Sequence, residues 1–107
     1  MQVNFLKVYN KIVRDKILEI IEKEGRKYNS RILTDKEAAE MLALKIKEEA
    51  DEFIAAPSKE EMADLLEVIY SIADKYGWNL DEVEKIRVEK NKKRGGFEKN
   101  IFLIDTD

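Results

Sequence analysis

The single proline of this 107-residue chain, Pro57, falls between two segments of helical periodicity, and that placement constrains the fold more than any other feature. Proline carries no amide hydrogen and clashes with the preceding turn, so a helix arriving from the N-terminal side ends near Ala56. Ser58 follows at once, and serine there caps a new helix by accepting from an amide two or three residues on. Two long helices joined by so short a connection pack antiparallel.

The remaining punctuation is of the same kind. A first helix is expected from about Asp15 to Glu24, stopped by Gly25. The second starts with Thr34 as N-cap and Glu37 three residues on, a capping box. The third has Ser58 and Glu61 in the matching positions and runs to about Tyr76 before Gly77. The fourth repeats the device with Asn79 and Glu82 and ends at Gly95-Gly96. Residues 3–9 and 101–104 are short and apolar, which predicts terminal strands able to pair with each other. The expected architecture is mainly α, a four-helix bundle in one domain spanning 1–107. A chain of 12.5 kDa has only a small core, so packing between subunits is expected to complete it.

Composition removes whole classes of chemistry. The chain has no Cys and no His, which excludes disulfides, thiol nucleophiles, His-based acid–base work and nitrogen or sulfur metal sites. Any metal must sit among oxygens, as Mg²⁺, Mn²⁺ or Ca²⁺ do. A formal charge of −3 argues against a nonspecific hold on a nucleic acid polymer. No stretch approaches a membrane span and the N-terminus lacks a signal-peptide run, so a cytoplasmic location is the default expectation.

Helical wheels then single out a few of the many acidic residues. At roughly 100° per residue, Leu42, Ile46 and Phe53 form an apolar stripe on the second helix, with Glu49 inside it and Glu52 on its border. Glu48 and Asp51 point further towards solvent, and Lys45 shares the border with Glu52. On the third helix Leu65, Ile69, Ile72 and Ala73 form the stripe, Glu61 lies among them and Asp64 at the edge. Antiparallel packing directs these four carboxylates to one place. Like charges there repel and are driven to take up protons unless a hard divalent cation joins them. The competing reading pairs Glu49 and Glu61 with Lys45, Arg87 or Lys90 as ordinary ion pairs.

Basic residues complement the cluster. The apolar stripe of the fourth helix, Leu80, Val83 and Ile86, is continued by Arg87, Lys90 and Arg94, with Asn91 beside them. Lys11, Arg14 and Lys16 precede the first helix. Cations facing a metal-loaded carboxylate cluster are what a polyphosphate requires. Lysines in a helix's last turn also complement its dipole, and for Lys92 and Lys93 that plain reading is preferred. Trp78 and Tyr70 offer rings for a base, although an aromatic beside a helix end is more often core.

In order along the chain, Tyr9-Asn10-Lys11-Ile12-Val13-Arg14-Asp15-Lys16-Ile17, Glu48-Glu49-Ala50-Asp51-Glu52, Glu61-Met62-Ala63-Asp64 and Lys93-Arg94-Gly95-Gly96-Phe97-Glu98-Lys99 resemble four signatures of one group. That group is the all-α nucleoside triphosphate pyrophosphatase superfamily, the MazG-like proteins, and within it the small phosphoribosyl-ATP pyrophosphohydrolase-like proteins. The resemblance implies a MazG-like bundle with Glu49, Glu52, Glu61 and Asp64 as Mg²⁺ ligands, Mn²⁺ being an alternative. Glu48 would support a basic partner or the attacking water. Lys90, Asn91 and Arg94 would hold phosphates, with Lys11, Arg14 and Lys16 as further substrate-binding candidates.

The implied reaction is hydrolysis of a nucleoside triphosphate between the α and β phosphates, giving a nucleoside monophosphate and pyrophosphate. A homodimer or homotetramer is implied as well. Leu18 stands where the subgroup usually has Pro, and the connection between the acidic motifs is short for the superfamily. Two alternatives stay open: hydrolysis of phosphoribosyl-ATP, and a non-catalytic nucleotide-binding or scaffold protein of the same fold.

Overall fold

The computed structural model describes residues 7–107. They are all-helical apart from connections: α1 is Ile17–Lys23, α2 Asp35–Ala55, α3 Lys59–Tyr76 and α4 Leu80–Arg94.

Each boundary has a local cause. In α1, Gly25 adopts φ +72° and lets the Arg26 amide turn back to the Ile21 carbonyl at 3.2 Å. The α2 capping box forms completely: the Glu37 amide donates to Thr34 Oγ1 at 3.1 Å, and the Thr34 amide to Glu37 Oε1 at 3.2 Å. In α3 the Glu61 amide donates to Ser58 Oγ at 3.1 Å. Gly77, at φ +69°, closes that helix while the Trp78 amide reaches the Ala73 carbonyl at 2.9 Å. The α4 cap differs from the expected box, because Asn79 Oδ1 takes the Asp81 amide at 2.8 Å and Glu82 does not return the bond.

α2 and α3 form the antiparallel hairpin that Pro57 predicts, and among the described residues they are the one pair of helices packed extensively side by side. Lys75 near the end of α3 meets Asp35 at the start of α2, 3.4 Å apart. Ala38, Ala39, Leu42, Val68 and Ala73 are buried in the seam. The small alanines let the two backbones approach closely. On α3 the seam is centred on Val68, whereas Ile69, expected to face inward, is 40% exposed.

Two further expectations are corrected. Ile101–Ile104 forms no strand and is exposed along its length; among the described residues no neighbouring strand satisfies its backbone ladder. Of the other proposed strand, residues 3–6 lie outside the described residues and 7–9 are not extended into a ladder. Trp78 is not core either: it stacks on Tyr76 with ring centroids 4.5 Å apart, and both rings are more than half exposed.

The chain presents 10408 Å² of surface, against about 6,200 Å² for a compact monomer of its mass. Its radius of gyration is 19.1 Å, where a compact chain of this length has about 13 Å. Apolar side chains on α3 and α4, among them Leu66, Ile69, Val83 and Ile86, contribute to the excess. No helix among the described residues is long and apolar enough to cross a membrane.

Candidate metal centre

The hairpin places the acidic residues at its closed end, beside the Pro57 connection. Glu49 is the buried member, 7% exposed in a seam otherwise made of hydrocarbon. Glu48 and Glu52 flank it on α2, and Glu61 and Asp64 face it from the first turns of α3. Oxygens of Glu48, Glu49 and Glu52 lie within 4.8 Å of one another, as do oxygens of Glu49, Glu61 and Asp64. Glu49 belongs to both groups, so the four expected ligands converge around it.

The two N-caps expose what is unusual about Glu61. Glu37 and Glu61 occupy the same position relative to their caps, and both donate their amide to the capping hydroxyl. Glu37 turns its carboxylate back to close the box, whereas Glu61 does not. Its Oε2 is buried without a hydrogen-bond partner, and so is Oε2 of Glu49. Buried carboxylate oxygens without a donor are costly, and carboxylates that come within 4.8 Å of one another across a helix seam are a donor set of the kind a hard cation takes.

Electrostatics follow the geometry. Burial, and next the neighbouring Glu52, pushes the Glu49 carboxyl above the usual carboxylate range, with Lys45 pulling the other way and Asp64 adding to the rise. Glu61 is raised by loss of solvent first and then by the Glu52 and Asp64 charges. Glu48 goes in the opposite direction, held low chiefly by the hydrogen bond from Lys11. Glu48 is therefore ionised and engaged, while Glu49 and Glu61 carry the strain of the cluster.

Of the basic candidates, two reach the carboxylates. Asn10, at φ +45°, turns the N-terminal segment across the hairpin; asparagine tolerates this conformation better than most residues. Lys11 Nζ then donates to Glu48 Oε1 at 2.8 Å, and Arg14 Nη2 to Asp64 Oδ1 at 2.7 Å. Lys16 sits at the N-cap of α1 and makes no ion pair among the described residues. Lys90, Asn91 and Arg94 lie exposed on the last two turns of α4, with no hydrogen bond or ion pair to the cluster among the described residues; α4 does not fold back along the hairpin. Arg87 pairs with Glu84 on its own helix, not with a site carboxylate.

Lys45 is the site residue that sequence reasoning treated only as a competing partner. Its ammonium lies 3.6 Å from Glu48 and 3.7 Å from Glu49, and its side chain is 16% exposed. Its spacing from them, i to i+3 and i+4, was the available signal. One cation at those distances offsets part of the charge and leaves Glu49 Oε2 and Glu61 Oε2 without partners. Compared with protein-family models, curated proteins and solved structures, the chain matches none.

Proposed function

We propose that this chain is a Mg²⁺-dependent nucleoside triphosphate pyrophosphohydrolase, as its resemblance to MazG-like proteins implies. The observation that carries the reading is Glu49: a carboxylate 7% exposed, with one oxygen lacking a partner, and with an oxygen within 4.8 Å of oxygens on Glu61 and Asp64 of the facing helix. Glu49, Glu52, Glu61 and Asp64 would hold the ion. When bound, Mg²⁺ supplies positive charge against phosphate oxygens and makes a nearby water more acidic.

The chain's own residues divide the remaining work. Glu48, ionised and held by Lys11 and Lys45, would keep both cations beside the cluster. Arg14 supplies a guanidinium at the rim, suited to paired contacts with phosphate oxygens. In the reaction a water oxygen bonds to the α phosphorus and the bond from that phosphorus to the α–β bridging oxygen breaks. Pyrophosphate leaves and the nucleoside monophosphate remains.

Self-association belongs to the same proposal. The excess of about 4,000 Å² on one chain leaves more than enough area for an obligate subunit interface, which buries about 2,000–5,000 Å² counted over both partners. A second copy of the chain is the occupant that would cover the apolar faces of α3 and α4. It would also give Lys90, Asn91 and Arg94 a route to a carboxylate cluster that their own hairpin does not provide.

The test is incubation of the purified protein with a panel of nucleoside triphosphates and Mg²⁺. Release of pyrophosphate and monophosphate, lost on adding EDTA and in Glu49→Gln, is the expected result. Release of orthophosphate, or turnover indifferent to EDTA, would sink the proposal.

A further inference from the structure

The two cations that reach the cluster from the N-terminal segment are held differently. Lys11 meets Glu48 with both side chains about one-third exposed, and the charges of Glu49 and Glu52 reinforce its protonated state. Arg14 meets Asp64 through one nitrogen, with side chains 55% and 42% exposed. Both pairs are screened by solvent, and the second, the more exposed, is the cheaper to break. Lys11 lies three residues before Arg14, so its contact with Glu48 favours a guanidinium at the rim when Arg14 leaves Asp64.

We propose that Arg14 is an exchangeable cation, bound to Asp64 in the ion-free site and transferred to a phosphate of the incoming polyphosphate when a divalent ion takes Asp64. This rests on the metal-centre reading above. Asp64 has an oxygen within 4.8 Å of oxygens on Glu49 and Glu61. A divalent cation offers two charges to all three carboxylates, where Arg14 offers one charge to one of them. The ion therefore wins Asp64. The planar fork of the guanidinium matches phosphate oxygens as well as carboxylate ones. Ion entry and polyphosphate capture become coupled, because the first releases the residue the second uses.

Calorimetry on the full chain separates this from a plain surface ion pair. Mn²⁺ alone is titrated first, then inorganic tripolyphosphate into Mn²⁺-loaded protein, for the wild type, Arg14→Gln and Arg14→Lys. Arg14→Gln should bind Mn²⁺ about five-fold more tightly, since no cation competes for Asp64, and tripolyphosphate about ten-fold more weakly. Arg14→Lys keeps the charge without the fork, so its Mn²⁺ affinity should match the wild type and its tripolyphosphate affinity should fall between the other two. Opposite movements of the two affinities are something a merely structural contact does not produce. Unchanged or weaker Mn²⁺ binding in Arg14→Gln, or undiminished tripolyphosphate binding, overturns the exchange and leaves the metal centre standing. Failure of the wild type to bind Mn²⁺ overturns both.

Discussion

Replacing Glu49 by Gln separates what the site costs from what it does. In the ion-free chain Glu49 is 7% exposed and its carboxyl is pushed upward, first by burial and then by Glu52. A folded-state pKa above the unfolded value is a cost to stability once the pH lies above both. The amide carries no charge, and it gives up the attraction of Lys45 at 3.7 Å. The net effect of Glu49→Gln without divalent ions is therefore a gain, of about 1 kcal/mol on the scale of a buried polar atom left without a partner, or about 4–8 °C in Tm for a domain of this size.

The pH dependence has a definite sign. An acid with a raised folded pKa holds its proton better in the folded state. Its favourable contribution is complete below the unfolded value, near 4.5, and is lost as pH rises through the folded pKa. The advantage of the variant is thus small at pH 4 and full at pH 8. Saturating Mg²⁺ reverses the order, since an ion at a hundred times its Kd adds about 2.7 kcal/mol to the protein that binds it. Thermal unfolding followed by circular dichroism, in EDTA and in Mg²⁺ from pH 4 to 8, reads all of this. A Glu49→Gln protein that melts below the wild type in EDTA at pH 8 would refute the reasoning and make Glu49 a structural partner of Lys45.

Three further outcomes follow from the same geometry. Ser58→Ala and Thr34→Ala should each cost about 1 kcal/mol in urea unfolding, but only Ser58→Ala should weaken Mn²⁺ binding, because its hydroxyl fixes the backbone of Glu61; equal Mn²⁺ affinities would contradict that role. Leu42→Ala removes one of the few buried side chains of the hairpin and should cost about 2–5 kcal/mol, enough to erase a cooperative urea transition. Sedimentation velocity at micromolar concentration should show a dimer or larger species, and a cooperatively melting monomer would contradict the use made of the exposed surface.

The local parts of this structure were legible because their causes are local. Thr34, Glu37, Ser58, Gly25 and Gly77 act within a few residues, and each helix boundary lies near its signal. Glu49 and Glu61 could be placed inside apolar stripes from periodicity alone, since a short connection at Pro57 leaves one way for the helices to meet. Long-range partners were less accessible. Lys11 and Glu48 are separated by 37 positions and Arg14 and Asp64 by 50, and nothing in their spacing says that the N-terminal segment crosses the hairpin there.

The basic end of α4 shows the same limit from the other side. Its wheel continues an apolar stripe into Lys90 and Arg94, yet a wheel fixes a face, not the neighbour that face meets. Leu80, Val83 and Ile86 are between 39% and 54% exposed, so no neighbour among the described residues covers them fully. The Ile101–Ile104 segment has strand-forming residues but no ladder to join among the described residues. Pairing is a property of two segments, and composition describes one.

The proposed metal centre requires an ion between Glu49 and Glu61. A crystal soaked with Mn²⁺, with data collected at an energy where manganese scatters anomalously, tests it most directly. The predicted result is an anomalous peak about 2.0–2.4 Å from carboxylate oxygens of both residues. Full soaking with no peak there, and those two oxygens instead sharing a proton or bonded to Lys45, would contradict it.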